Sequence, residues 1–320
     1  MSLAVTVLLF AVGVLLVVKG GDYFVDAASW VAEISGIPKL IIGATIVSIA
    51  TTLPEMLVSV MAAAQGKTDM SIGNAVGSVT ANIGLIMAIS LVFMPGIIKR
   101  SDYLLKSILM LLAAGSIVFC GFLGEVSVAF SAVLLVICVI FIWENVSAAK
   151  KAMAVKQDEP GESVPSDKKT VIVNLIKFFA GAAGIVLGAR LLVDNGSELA
   201  RLIGISERII GVTLVAIGTS LPELITTVTA IIKKQSALSI GNILGANIMD
   251  LTLIMPLSAL ISGKPLPVSA ISARIDLPVC LLVGLIAVIP ALIRSKFSRW
   301  QGIVLLVVYF IYMVITCGVV

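Results

Sequence analysis

The sequence predicts an all-α polytopic membrane protein, with ten transmembrane helices forming two inverted five-helix repeats and broken helices at the midplane. Three observations carry this prediction. Hydrophobic residues make up 59% of the 320 and charged residues only 12%, and apolar runs of about 20 residues, enough to span a bilayer as a helix, recur along the chain. One polar phrase is written twice inside that apolar text: Ile42 to Glu55 reads IGATIVSIATTLPE and, 168 residues later, Ile210 to Glu223 reads IGVTLVAIGTSLPE. Each copy sets a carboxylate and a helix-breaking proline where the middle of a bilayer should be, and polar groups at that depth are costly enough to mark function.

The spans are expected at 3–19, 39–64, 70–94, 103–122, 126–146, 170–190, 207–232, 237–261, 275–293 and 301–319. The first lacks a basic leading segment and runs straight into repeated sequence, so it is read as a span and not as a cleaved signal peptide. Continuous apolar runs of this length exclude a β-barrel, whose strands alternate over about 10 residues. Between the fifth and sixth spans lies the one long polar stretch, Lys150 to Thr170, rich in Lys, Asp, Glu, Pro and Ser. Its composition is that of a linker, too short to house a regulatory domain. The expected organisation is therefore a first repeat over 1–149, a linker over 150–170 and a second repeat over 171–320.

The repeat holds at constant offset beyond the first phrase. Gly20, Val25, Asp26, Ala32, Gly36 and Ile37 recur as Gly188, Val193, Asp194, Ala200, Gly204 and Ile205, and Ser71-Ile72-Gly73-Asn74 with Gly77 recurs as Ser239-Ile240-Gly241-Asn242 with Gly245. Five spans is an odd number, so the second half enters the membrane in the opposite sense. Lysines and arginines fall 16 on one side of this arrangement and 6 on the other. The positive-inside rule puts the richer side in the cytoplasm, with both termini outside and the linker inside a plasma membrane.

Composition also removes several kinds of chemistry. There is no histidine, which excludes histidine general bases and histidine zinc sites. The four cysteines, Cys120, Cys138, Cys280 and Cys317, are scattered through apolar runs without metal or redox spacing, and read as packing residues. The net charge of +4 is set by loop placement and describes no nucleic-acid face. Asn145-Val-Ser147 and Asn195-Gly-Ser197 match the glycosylation pattern.

Ser48, Thr51, Thr52 and Glu55 fall at i, i+3, i+4 and i+7, one face of a helix; Ala216, Thr219, Ser220 and Glu223 do the same in the second copy. Pro54 and Pro222 lack an N–H and crowd the preceding turn, which is expected to kink both helices and free the carbonyls of Ala50 and Gly218. The following span of each half adds Ser78 with Asn82, and Ala246 with Asp250. Glycine pairs with GxxxG spacing, Gly73 with Gly77 and Gly241 with Gly245, would let these helices approach closely. Asp26 and Asp194 sit at the expected ends of the first and sixth spans, where capping or a gating contact is anticipated.

Three carboxylates, Glu55, Glu223 and Asp250, each cost about 2.5–3.5 kcal/mol at the bilayer centre, and no lysine or arginine is expected at matching depth. The missing countercharge is then an inorganic cation. Hydroxyls, carboxylates, an amide and carbonyls are hard oxygen ligands, which suit calcium and sodium and not zinc or copper.

At these residues the chain resembles the cation/calcium antiporter superfamily, in particular its microbial sodium/calcium exchanger branch, over nearly its whole length. The resemblance rests on two copies of G-[TS]-S-L-P-E, each followed by G-N-x-x-G-[SA], in ten spans with a short central linker. It implies an exchanger and not an enzyme, with no cofactor, calcium and sodium as transported ions, and the bilayer as surroundings. The implied ligand positions are Ser48, Thr51, Thr52, Glu55, Ser78 and Asn82, then Ala216, Thr219, Ser220, Glu223, Ala246 and Asp250, with Ser48 and Ala216 contributing backbone carbonyls. It further implies that the first and sixth spans slide against the other eight. Ala50 and Thr52 replace the more usual Gly and Ser of the first copy, and Ala246 stands where a serine is typical. A proton-driven calcium or cation antiporter and a potassium-dependent sodium/calcium exchanger are the alternatives: buried glutamates can carry protons, and an acidic residue at the position of Asp250 is shared with the potassium-dependent branch.

Overall fold

The structure, a computed structural model, describes residues 2–96, 98–158, 167–204 and 218–319. It is helical almost throughout. The described residues form ten helical rods: α1 (Leu3–Ser35), α2 (Lys39–Ala64), α3 (Thr68–Phe93), α4 (Arg100–Leu123), α5 (Val128–Asp158), α6 (Lys168–Leu202), α7 (Leu221–Ile232), α8 (Ser236–Ser262), α9 (Ser272–Arg294) and α10 (Arg299–Val319). Among the described residues, nine of these are long and apolar enough to cross a membrane, and α7 is a shorter apolar helix. The seventh expected span, 207–232, is described only from residue 218 onward.

The expected boundaries of three spans are corrected. The first and sixth spans do not stop at residues 19 and 190 but continue as single helices to Ser35 and Leu202. Lys19, expected at the end of the first span, lies well inside α1, and Asp26 and Asp194 lie within their helices and not at the ends. Helix α5 likewise runs on to Asp158, and α6 begins at Lys168.

The chain divides into two compact units, each assembled from both halves of the sequence: residues 1–51 with 146–242, and residues 52–145 with 243–320. In the first unit α1 packs along α6 and against α7. Small residues make this possible. A Cβ at Gly20 would come 2.8 Å from the Gly181 carbonyl, and one at Gly188 would come 2.8 Å from the Gly13 carbonyl. Such glycine seams substitute for the hydrophobic effect, which does not drive helices together in lipid. Phe24, Val25, Ala28, Ile42, Ile185 and Leu238 form the unit's core, with Phe24 and Phe178 rings 4.7 Å apart.

The tightest approach in this unit joins the beginnings of α2 and α8. A Cβ on Gly43 would overlap the Leu238 carbonyl, and one on Gly241 would overlap the Leu40 carbonyl. Both obstacles are backbone, which has no rotamer to move. Gly241→Ala is therefore expected to lower the unfolding temperature of the detergent-purified protein by several degrees and to raise its aggregated fraction in size exclusion. Gly115→Ala, with nothing described within 4 Å, should be neutral or slightly stabilising, as alanine is the better helix former.

In the second unit α3 packs against the Asp250–Ile254 turn of α8, α4 against α9, and α10 against the latter part of α3. A two-residue ladder, β1 (Glu125–Val126) with β2 (Leu266–Pro267), ties the loops after α4 and α8. The α3–α4 and α9–α10 loops are joined by Ile98 N–H donating to the Ser295 carbonyl and Phe297 N–H donating to the Gly96 carbonyl. Cys120, Cys138 and Cys280 are buried free thiols, as packing residues should be.

Among the described residues, four π-helical turns interrupt the rods, at Gly43–Val47, Asn82–Met87, Asp250–Ile254 and Ser272–Asp276. Turns of this kind insert an extra residue into the helical ladder and mark functional sites disproportionately. Asn82 and Asp250 are themselves 168 positions apart, so the irregularity repeats with the sequence.

Candidate functional site

In the second unit α2 contributes Thr52, Glu55 and Ser59, and its opposite face shows Leu53 and Leu57 outward, 45% and 57% exposed. This is the reverse of a soluble helix: the polar stripe is turned into protein and the leucines to the surroundings. Glu55 is 1% exposed. Helix α3 offers Asn74, Ser78 and Asn82, each four residues from the last and so on one face. The Asn74 amide donates to the main-chain carbonyl of Glu55 at 3.2 Å and to Ser59 Oγ at 2.9 Å. Asp250, 1% exposed, opens the π turn of α8 that packs on α3.

In the first unit the Thr51 hydroxyl lies 3.1 Å from the Asn242 side-chain oxygen and 3.3 Å from the Ser48 carbonyl. Ser48 bonds back to the Thr45 carbonyl at 3.1 Å, so its hydroxyl is committed to its own helix. Thr219 and Ser220 form the turn leading into α7, and Pro222 lies in that helix's first turn, where a missing N–H costs nothing. Glu223 is fully buried. The two prolines thus act differently. The second copy starts a new helix at Leu221, while the first keeps its helix from Ser48 to Ala64 with Pro54 inside, the ladder being interrupted upstream at Gly43–Val47. Ala216 lies outside the described residues. Ala246 is fully buried.

The buried oxygens have an unusual amount of unused capacity. Thr52 Oγ1, Ser78 Oγ, both polar atoms of Asn82, Thr219 Oγ1 and Ser220 Oγ have no hydrogen-bond partner among the described residues. Leaving one buried hydroxyl or amide unsatisfied costs about 1–3 kcal/mol, so a group of them on ion-ligand positions fits residues kept available for cargo. Among the described residues no three His, Cys, Asp or Glu side chains gather into a metal cluster. The available donors are mostly hydroxyl, amide and carbonyl oxygens, suited to hard cations that must also leave.

Sequence reasoning missed Asn74 and Ser59. The repeat of Ser-Ile-Gly-Asn was visible, and counting the α3 stripe back four residues from Ser78 reaches Asn74; nothing in the sequence identified its partners. The asparagines of both glycosylation patterns are buried: Asn145 donates to the Phe141 carbonyl and Asn195 to the Leu191 carbonyl, each at 2.8 Å. Asp26 makes a contact between helices. Lys233 Nζ, just beyond α7, lies 2.7 Å from Asp26 Oδ1 and 2.9 Å from the Asp22 carbonyl.

The sodium/calcium exchanger protein family matches residues 5–146 and 173–318. The inner membrane protein YrbG of Escherichia coli is 38% identical over 87% of this chain and 86% of its own length. The sodium/calcium exchanger MaX1 of Methanosarcina acetivorans is 30% identical over 98% of this chain and 99% of its own. Among solved structures, the sodium-calcium exchanger NCX_Mj soaked with zero sodium and calcium superposes with a TM-score of 0.80 at 30% identity, covering 98% of this chain and 99% of that one. The chain is a multi-pass membrane protein of the cation/calcium antiporter superfamily and belongs to the sodium/calcium exchanger family.

Proposed function

We propose that the chain is a secondary-active antiporter that exchanges extracellular sodium for intracellular calcium by alternating access. The observation that carries this reading is the buried pair of repeat-related carboxylates, Glu55 at 1% and Glu223 at 0% exposure, accompanied by hydroxyls and amides without partners among the described residues. Its ligand set is Ser48, Thr51, Thr52, Glu55, Ser78 and Asn82 from the first repeat, and Ala216, Thr219, Ser220, Glu223 and Asp250 from the second. Ala246 has no side-chain oxygen to add.

Competition supplies the coupling. Sodium and calcium that depend on the same carboxylates cannot be bound together, and a carrier with these carboxylates uncompensated faces the cost of moving charge through lipid. Only the loaded forms cross readily, so sodium moving down its gradient drives calcium out with no covalent step. In this reading the repeats cover 1–149 and 171–320, the linker is cytoplasmic, both termini are outside, and the host membrane is the plasma membrane.

The test is calcium uptake into vesicles reconstituted with the full chain, with sodium, potassium and proton gradients imposed in turn. Uptake driven by sodium alone is expected. Uptake that ignores sodium and follows the proton gradient would overturn the reading in favour of proton exchange, and uptake requiring potassium would place the chain with potassium-dependent exchangers.

A further inference from the structure

We propose that Asn74 is a positioning residue for Glu55: it sets the rotation of the carboxylate-bearing turn of α2 and so tunes cation affinity without touching the ion. This inference rests on the exchange reading above. Two polar stripes, Thr52-Glu55-Ser59 on α2 and Asn74-Ser78-Asn82 on α3, are fastened to each other at one end. There the two N–H bonds of a single amide are both used, one on the Glu55 main-chain carbonyl at 3.2 Å and one on Ser59 Oγ at 2.9 Å. The other members of the stripes are not so engaged: Thr52 Oγ1, Ser78 Oγ and both polar atoms of Asn82 have no partner among the described residues. The fastening is therefore behind Glu55, and the remaining oxygens are left for other use.

The position of the link explains why it is needed. Pro54 cannot donate to the carbonyl four residues back, so the turn that carries Glu55 lacks one of the bonds that would hold its pitch. An amide reaching across from α3 to the next residue's carbonyl supplies an external fix at that point. The second asparagine of the repeat touches the same stretch of α2 within the other unit. Asn242, fully buried, lies 3.1 Å from the hydroxyl of Thr51, and the adjacent Gly241 brings its backbone against the Leu40 carbonyl. The two copies share the asparagine's role of fixing what lies opposite, while only the second uses its glycine for close approach: a Cβ on Gly73 would meet nothing described within 4 Å.

Groups that orient a ligand without binding the ion typically change metal affinity by about 10- to 100-fold when removed. Calcium binding to the detergent-solubilised full chain, read by calorimetry, is expected to weaken about tenfold in Asn74→Ala, and the KM for calcium in vesicles to rise in parallel with kcat little changed. Ser59→Ala, which keeps the Asn74 bond to the Glu55 carbonyl, should fold normally and weaken binding measurably but by less than Asn74→Ala does. In a Glu55→Gln background, Asn74→Ala should add nothing further, an outcome that a general loss of packing would not produce. Unchanged calcium affinity in folded Asn74→Ala overturns the proposal, as does an equal loss with and without Glu55. If Asn74→Ala fails to fold, unchanged affinity in Ser59→Ala overturns it. Failure of the exchange reading registers separately, as absence of sodium-driven uptake by the unmodified chain while the binding titration still reports on Asn74.

Discussion

Glu55→Gln and Glu223→Gln should each reduce sodium-driven calcium uptake to the level of empty vesicles while leaving the protein folded. Glutamine keeps the shape of the side chain and removes one unit of negative charge from a group that is 1% exposed at position 55 and 0% at position 223. Losing a charged oxygen opposite a doubly charged ion is worth about 3 kcal/mol or more, roughly a hundredfold in affinity. The folding side of the balance runs the other way, since the intramembrane cost of about 2.5–3.5 kcal/mol per carboxylate disappears with the charge. A second measurement separates the roles. Calcium at about 100 times its Kd stabilises the unmodified protein by about 2.7 kcal/mol, so its unfolding temperature should rise with calcium, and that rise should vanish in both variants. If either variant transports at the normal rate, or keeps its calcium-dependent stabilisation, that carboxylate is not a ligand.

The parts of this protein legible in sequence were those with a period or a copy. Membrane character followed from run length, and Glu55 and Glu223 stood out because a carboxylate written twice at one offset has no packing role. The ends of α1 and α6 were misread for a physical reason. Lys19, Asp22 and Asp26 look like a loop to a hydropathy window, yet α1 continues through them. The two carboxylates are met from outside the helix, Lys233 lying 3.4 Å from Asp22 and 2.7 Å from Asp26, and the glycine seam with α6 holds the rod in place. No local pattern announces a partner 207 residues away in sequence.

Helical irregularity was foreseen in kind but only partly in place. Proline was the visible signal, and it marks the start of α7 at Pro222, whereas Pro54 stays within a continuous helix. The π turns at Asn82 and Asp250 carry no proline of their own, and their cause is an extra residue in the ladder, which a sequence does not display. Asn74 escaped notice for a related reason. Its importance lies in two acceptors, one of them a main-chain carbonyl that every residue type possesses.

Lys106 is the residue where sequence and structure differ most in consequence. The expected span 103–122 already contains position 106, yet nothing in the sequence marks its side chain as buried: it is the seventh residue of α4, about 9 Å along the helix at 1.5 Å per residue. Its side chain is 1% exposed and paired with Glu144, which is 18% exposed. Removing one member of such a pair strands the other charge in a poor solvent. Lys106→Met is accordingly expected to destabilise the protein by about 3–5 kcal/mol, seen as an earlier thermal unfolding in detergent and a lower folded yield. The double variant Lys106→Met with Glu144→Gln should recover most of that loss, because replacing both partners by neutral groups of similar volume is often close to energetically neutral. Lys106 is outside the ligand set, so calcium uptake per folded molecule should be unchanged in the double variant. Lys106→Met that unfolds no earlier than the unmodified chain would mean that Glu144 reaches water and that the pair contributes nothing; a double variant that folds but does not transport would move Lys106 from the framework of α4 into the ion pathway.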